Sequence, residues 1–279
     1  MPRRAPLDAY AERMRGRHSE PAGDGRVDVE PDPIDAGSLE LLVDGVPQSH
    51  LTPGHPERLY FEYVRRLGHI VDLMGPPGEP IRALHLGGGA MTLPRYLAWA
   101  RPGSPQIVVE KDPRVVEAVE QRMPLDAASA RSIEIVVGDA FAELGPLAAR
   151  IGGAVDLVVV DAYTGLEPPA WVVDGSLFAA LVPLLAADGV VAVNVADGPA
   201  LTALRSEAAA LRRIFPAVLA AAPPGFLAGR SEGNAVLVAG GSRRLAGWPT
   251  EFARRGPHPV EVWEGDELGG RRERRRESR

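Results

Sequence analysis

Three carboxylates and one run of glycines stand at the ends of short apolar stretches, where a sheet can bring reactive groups to one edge. Gly87-Gly88-Gly89 follow Leu84-His85-Leu86. Glycines at a strand-to-helix turn let the backbone pass close against a flat nucleoside and start a helix without a Cβ clash. Tight packing alone can also demand them. A dinucleotide fingerprint would need a further glycine at 92, where the chain has Thr92, and this speaks against a nicotinamide cofactor. Glu110 closes the next apolar run, 21 residues after Gly89. An acid at that distance can accept both hydroxyls of a ribose, or it can complement the positive end of the following helix. Asp139, in Gly138-Asp139-Ala140, can accept a hydrogen bond from an adenine amino group, and it also suits the N-cap of the helix it precedes. Asp161 ends the run Leu157-Val158-Val159-Val160. A carboxylate there is well placed for catalysis. A buried carboxylate needs a partner; no sequence neighbour supplies one, and a cationic ligand would.

The elements that must position these groups alternate in type. Apolar strands are expected at Ile81–Leu86, Gln106–Glu110, Ile133–Val137, Asp156–Val160 and Gly189–Val195, with helices near 92–101, 113–122, 140–150, 176–186 and 199–214. Short apolar strands separated by amphipathic helices predict a parallel sheet covered on both faces. Two further strands, Ala217–Ala222 and Asn234–Ala239, are joined by a short Pro/Gly loop with no room for a crossover helix, so they should be antiparallel. By fold analogy, such a terminal hairpin suits adenosylmethionine-type transferases better than nicotinamide domains. Ahead of the sheet, residues 26–56 read as a small β unit with a turn at Asp44-Gly45. Helical spacing over 57–74 leads into the main domain, 57–265. Residues 1–25 read as a disordered arm and 266–279 as a disordered Arg-rich tail, the signal fading past 241.

Composition narrows the function classes. The chain has 279 residues and a net charge of −6. Residues 271–279 carry six Arg and two Glu, a local +4, so the remainder carries −10. An acidic body argues against nucleic-acid binding. There is no cysteine, which excludes thiolate metal sites and a Cys nucleophile. His18, His50, His55, His69, His85 and His258 show no ligand spacing, so no metal is expected. His85 alternates inside an apolar strand and reads as a core histidine. No apolar run reaches the roughly 18 residues of a membrane span, and no secretory leader is evident. The expectation is a cytoplasmic protein with no membrane partner.

Taken in order, the motifs resemble those of the spermidine synthase family, the aminopropyltransferases, over about residues 39–240. Leu42-Val43-Asp44-Gly45-Val46-Pro47-Gln48 is similar to the family's Asp-Gly-x-x-Gln turn, and Tyr60-Phe61-Glu62 to its Tyr-His/Gln-Glu element. Gly87-Gly88-Gly89, Val109-Glu110, Gly138-Asp139-Ala140 and Asp156–Asp161 are similar to its glycine loop, ribose acid, adenine-side motif and catalytic strand. Three positions depart from the pattern. Ala90 stands where the family has an aspartate implied to hold the cofactor's amine. Asp161-Ala162-Tyr163-Thr164-Gly165 keeps the first aspartate of Asp-Ser-Ser-Asp-Pro and loses the second. Phe61 replaces a polar side chain.

The resemblance implies a class I S-adenosylmethionine-dependent methyltransferase-like (Rossmann-like) α/β fold with a terminal antiparallel hairpin, preceded by the small β unit. It implies aminopropyl transfer from decarboxylated S-adenosylmethionine to a small-molecule amine. Asp161 would act as base, Gly87, Gly88, Gly89, Glu110, Gly138, Asp139 and Ala140 would hold the nucleoside, and Gln48 would close over it. Tyr60 and Tyr163 would line the amine site, although simple packing explains tyrosines equally well. A homodimer is expected on the same ground. Two alternatives stand beside this reading. One is methyl transfer from S-adenosylmethionine, whose own carboxylate suits the loss of an acid at Ala90. The other is a nucleoside-binding protein without turnover, which the missing carboxylates would suit.

Overall fold

The computed structural model describes residues 25–162 and 170–269. The arm before Gly25, the segment with Tyr163 and Thr164, and the Arg-rich end therefore lie outside the described residues. An antiparallel sheet opens the chain, with strands β1 (Val27–Pro31), β2 (Leu39–Val43) and β3 (Val46–Leu51) in that order. Asp44 and Gly45 both take positive φ, 50° and 73°, which is the twist a two-residue hairpin requires. The Asp44 Oδ1 accepts the Arg26 N–H at 3.0 Å and ties β1 to that turn.

The second sheet holds β4 (Ala83–Leu86), β5 (Gln106–Glu110), β6 (Ile133–Val137), β7 (Val155–Val160), β8 (Leu185–Asp197), β9 (Ala217–Ala222), β10 (Gly233–Gly240) and β11 (Glu261–Glu264). Its order is β11-β9-β10-β8-β7-β4-β5-β6. The five strands from β6 to β8 are parallel, and β10 is antiparallel to both β8 and β9. The loop from β9 to β10 holds one helical turn, Pro224–Leu227, and no crossover.

Alternation along the strands fills both faces. Leu84, Leu86, Val158, Val160, Val191 and Val193 pack under helices Ala140–Ile151, Ser176–Leu181 and Thr202–Arg212. Ala83, Leu157, Val159, Val190 and Ala192 meet Leu67 and Ile70 of helix Glu62–Leu73, Leu97 of helix Thr92–Ala100, and Phe252 of helix Trp248–Arg255. A third cluster joins the two sheets. Val29, Leu41 and Leu51 pack with Ala90, Met91, Val108, and Val115 and Val119 of helix Pro113–Arg122.

Two expectations need correction. The described residues past 241, where the signal fades, hold helices Ser242–Leu245 and Trp248–Arg255 and then β11, which pairs antiparallel with β9; residues 266–269, expected in the disordered tail, instead form a 3₁₀ turn, Gly265–Gly269, with Leu268 buried. Trp248 and Phe252, one turn apart, are the buried anchors of an otherwise polar helix, which is why its period is faint. The helix expected to reach 186 stops at Leu181, and β8 begins at Leu185 because that residue pairs with Val155. Helix Ala127–Ser132 was not foreseen; one polar side chain, Asp126, caps it by accepting from Ala128 and Ser129.

Arg101 fixes the approach to the main sheet. It is buried, and its guanidinium donates to the carbonyls of Val71, Asp72, Gly75, Pro76 and Glu79 at 2.7–3.1 Å. These include orphan carbonyls at the end of helix Glu62–Leu73.

Candidate active site

The glycine turn and the end of β7 touch backbone to backbone. The Gly87 N–H donates to Val109 O and the Asp161 N–H donates to Leu86 O, both at 2.8 Å. Gly87 has φ +100°, and a Cβ there would collide with the Asp161 carbonyl. The conformation and the contact both require glycine. Gly89, at φ +47°, lies against the Ser49 hydroxyl of β3.

Glu110 has a role that spacing did not reveal. Its Oε2 accepts the Gly88 and Gly89 N–H groups at 2.9 and 3.3 Å, and its Oε1 accepts the Asp112 N–H at 3.0 Å. The expected ribose acid therefore also braces the glycine turn. Asp139 caps helix Ala140–Ile151, its Oδ1 accepting from Phe141 and Ala142 at 3.0 Å. Capping leaves the exposed carboxylate able to take a further hydrogen bond.

Asp161 has the partners its sequence neighbours do not provide. Asn194 on β8 donates its amide Nδ2 to Asp161 Oδ1 at 2.8 Å, and the Tyr63 hydroxyl also bonds this carboxylate. Asn234 on β10 donates to Asn194 Oδ1 at 3.0 Å. That bond fixes which way the Asn194 amide faces, because the oxygen is already committed. Burial pushes the Asp161 carboxyl above the usual carboxylate range; the Asn194 and Tyr63 hydrogen bonds pull it down, and the nearby Glu110 charge adds to the rise.

Asp161, Gly87, Gly88 and the rings of Tyr60, Phe61 and Tyr63 surround a cavity of about 40 Å³. Tyr60 and Phe61 meet edge to face at 5.9 Å, Phe61 and Tyr63 stack at 6.0 Å, and His50 stacks on Tyr60 at 4.1 Å. His85 also lines this cavity. It is buried as expected, and burial pulls its imidazole down to about 4. Gln106 donates its amide to Pro94 O, so its Oε1 accepts from His85 Nε2 at 3.0 Å. The ring is thus a neutral Nε2–H tautomer. A larger cavity of about 390 Å³ shares the His50–Tyr60 pair. Of its three carboxylates, Asp35 and Asp72 are held by Arg58 and Arg255 at 3.1 and 2.9 Å, and Glu57 lies 3.0 Å from His55.

The structure thus brings Gly87, Gly88, Glu110, Tyr60 and Asp161 together. Gly138, Asp139 and Ala140 follow the neighbouring strand β6. Gln48 does not line the small cavity; its Nε2 lies 3.5 Å from Val46 O, while Ser49 and His50 face inward. Ala90 is fully buried in the cluster shared with β1–β3, where an acid would lack solvation. Sequence reasoning missed Tyr63, Asn194, Asn234 and Ser49. Asn194 had a readable signal, as the one polar residue within Val190–Val195.

No family model matches the chain, and no curated protein does. Solved structures do. A probable spermidine synthase from Corynebacterium glutamicum is 25% identical, with a TM-score of 0.73, covering 88% of this chain and 89% of that one. Spermidine synthase from Thermotoga maritima is 17% identical, at a TM-score of 0.58, covering 90% and 81%. Human methyltransferase-like protein 13, solved with SAH, is 19% identical, at a TM-score of 0.53, covering 72% and 94%. The fold is that of class I S-adenosylmethionine methyltransferase-like transferases, preceded by a small antiparallel sheet. Within that class the chain is spermidine synthase-like.

Proposed function

We propose that the protein transfers an aminopropyl group from decarboxylated S-adenosylmethionine to a small-molecule amine, with Asp161 as the base. The observation that carries this reading is a carboxylate beside the glycine turn, in a ring-lined cavity, with one oxygen held by Asn194. The nucleoside fits the residues present: a turn without Cβ atoms at Gly87–Gly89, the Glu110 carboxylate at that turn, and Asp139 one strand further out. Gly138 and Ala140 would flank the adenine, and Gln48 would have to turn inward to close over the site.

A free alkylamine resembles lysine, with a pKa of about 10.4, and enters mostly as an ammonium. Asp161 orients that ammonium and accepts its proton, with the carboxyl already raised toward the range where a base can return it. The protein must also hold the amine nitrogen in line with the reacting carbon, at about 3–3.5 Å. The bound sulfonium supplies the activated carbon: the N–C bond forms, the C–S bond breaks, and methylthioadenosine leaves as a neutral thioether. Tyr163 would add to the amine side. A homodimer and a cytoplasmic location belong to the same reading, on the family resemblance alone.

Methyl transfer from S-adenosylmethionine is the second reading. Ala90 favours it, because a buried alanine at this position leaves no carboxylate to repel that of the cofactor. Calorimetric titration with both nucleosides separates the two. Tenfold tighter binding of the decarboxylated form supports aminopropyl transfer, preference for the intact form supports methyl transfer, and binding of neither removes both.

A further inference from the structure

The small cavity at Asp161 has an unusual charge balance for a site expected to grip a diamine. Among the described residues that line it, Asp161 is the sole carboxylate. Two histidine rings, His50 and His85, also stand on its wall; burial lowers both, His85 to about 4, while Asp32 and Asp35 oppose the shift at His50. Tyr60, Phe61 and Tyr63 supply three aromatic rings, and Val64, Leu67 and Leu93 supply much of the rest. Phe61 is the N-cap residue of helix Glu62–Leu73 and makes no side-chain cap hydrogen bond. Its ring instead contacts both tyrosines. One ammonium is well served here: a carboxylate for its charge and ring faces for its hydrogens. A second ammonium on the same small molecule would meet apolar and aromatic surface, where an unpaired charge is costly.

We infer that the acceptor is an amine carrying a single positive charge on an uncharged, apolar body, and that Phe61 selects against a diamine. This rests on the transfer reading above. The aromatic wall accepts the apolar body, Asp161 takes the one ammonium, and no second carboxylate stands on the described wall to pair with another charge.

The test measures binding apart from turnover. Wild-type protein saturated with methylthioadenosine is titrated calorimetrically with n-butylamine, benzylamine and 1,4-diaminobutane. At least tenfold tighter binding of a monoamine is expected; equal or tighter binding of the diamine overturns the inference. Phe61→Glu, which puts a second carboxylate on the wall, is expected to shift the diamine-to-monoamine ratio at least tenfold toward the diamine. An unchanged ratio in folded Phe61→Glu protein removes Phe61 as the selector. If that variant does not fold, Phe61→Gln carries the same comparison with a smaller expected shift. Product formation from decarboxylated S-adenosylmethionine is followed separately. Monoamine-selective binding without any product would sink the transfer reading and leave the selectivity standing.

Discussion

Folding makes Asp161 a poorer anion than it is in the unfolded chain, and that has a stability signature. Its folded pKa is raised, so the folded state holds this proton at pH values where the unfolded state has released it. Stability therefore falls as pH rises from the unfolded value through the folded one, and the full penalty applies above both. Asp161→Asn should abolish transfer, by about a hundredfold or more, while the melting temperature at pH 7 stays level or rises; a clear fall in melting temperature would contradict the argument. Asn194→Leu removes a donor that favours the charged carboxylate. The acidic limb of the pH–rate profile should then move to higher pH, with nucleoside affinity unchanged. Asp161 itself was readable from its place at the end of an apolar strand. Asn194 stands out as the one polar residue of its run, but that it, Tyr63 and Asn234 meet at Asp161 was not readable, because they come from three elements whose adjacency only the strand order β10-β8-β7 and the covering helix establish.

At the scale of elements, the glycine turn is held from two sides, by the Asp161 backbone and by the Glu110 carboxylate. Glu110→Ala loses charge-assisted bonds worth roughly 1.5–3 kcal/mol each. Nucleoside affinity should weaken about tenfold to a hundredfold by calorimetry, even for a ligand lacking the ribose hydroxyls. That last comparison separates bracing from direct recognition. Arg101 does comparable work for helix Glu62–Leu73, which presents Tyr63 to the site. Arg101→Ala leaves five carbonyls without their donor and should cost about 3 kcal/mol in denaturant unfolding. Arg101→Lys should recover little, since one ammonium cannot reproduce the planar fork. The central strands were legible because a buried parallel strand is a continuous apolar run. The ends of elements were less so, because β8 starts early through pairing with Val155, a tertiary fact. The helix Trp248–Arg255 and β11 are carried by a few anchoring residues that no local period reveals.

Across the whole molecule, the first sheet shares its apolar side with helix Pro113–Arg122 and with Met91 beside the glycine turn. The Thr92 hydroxyl donates to His50 O at 2.9 Å, a second tie between β3 and that turn. Leu41→Ala should cost about 2–5 kcal/mol, and the loss should appear in one cooperative unfolding transition by calorimetry. A separate early transition would show that the small sheet melts alone. The hydrogen bond from Asn234 to Asn194 has a further meaning during synthesis. Asn194 emerges well before its donor, and the segments that carry Ser49, Tyr63 and Gly87 emerge earlier still. The Asn194 amide that faces Asp161 therefore gains its lock only when β10, 40 residues later, pairs with β8, a non-local pairing of the kind that slows folding.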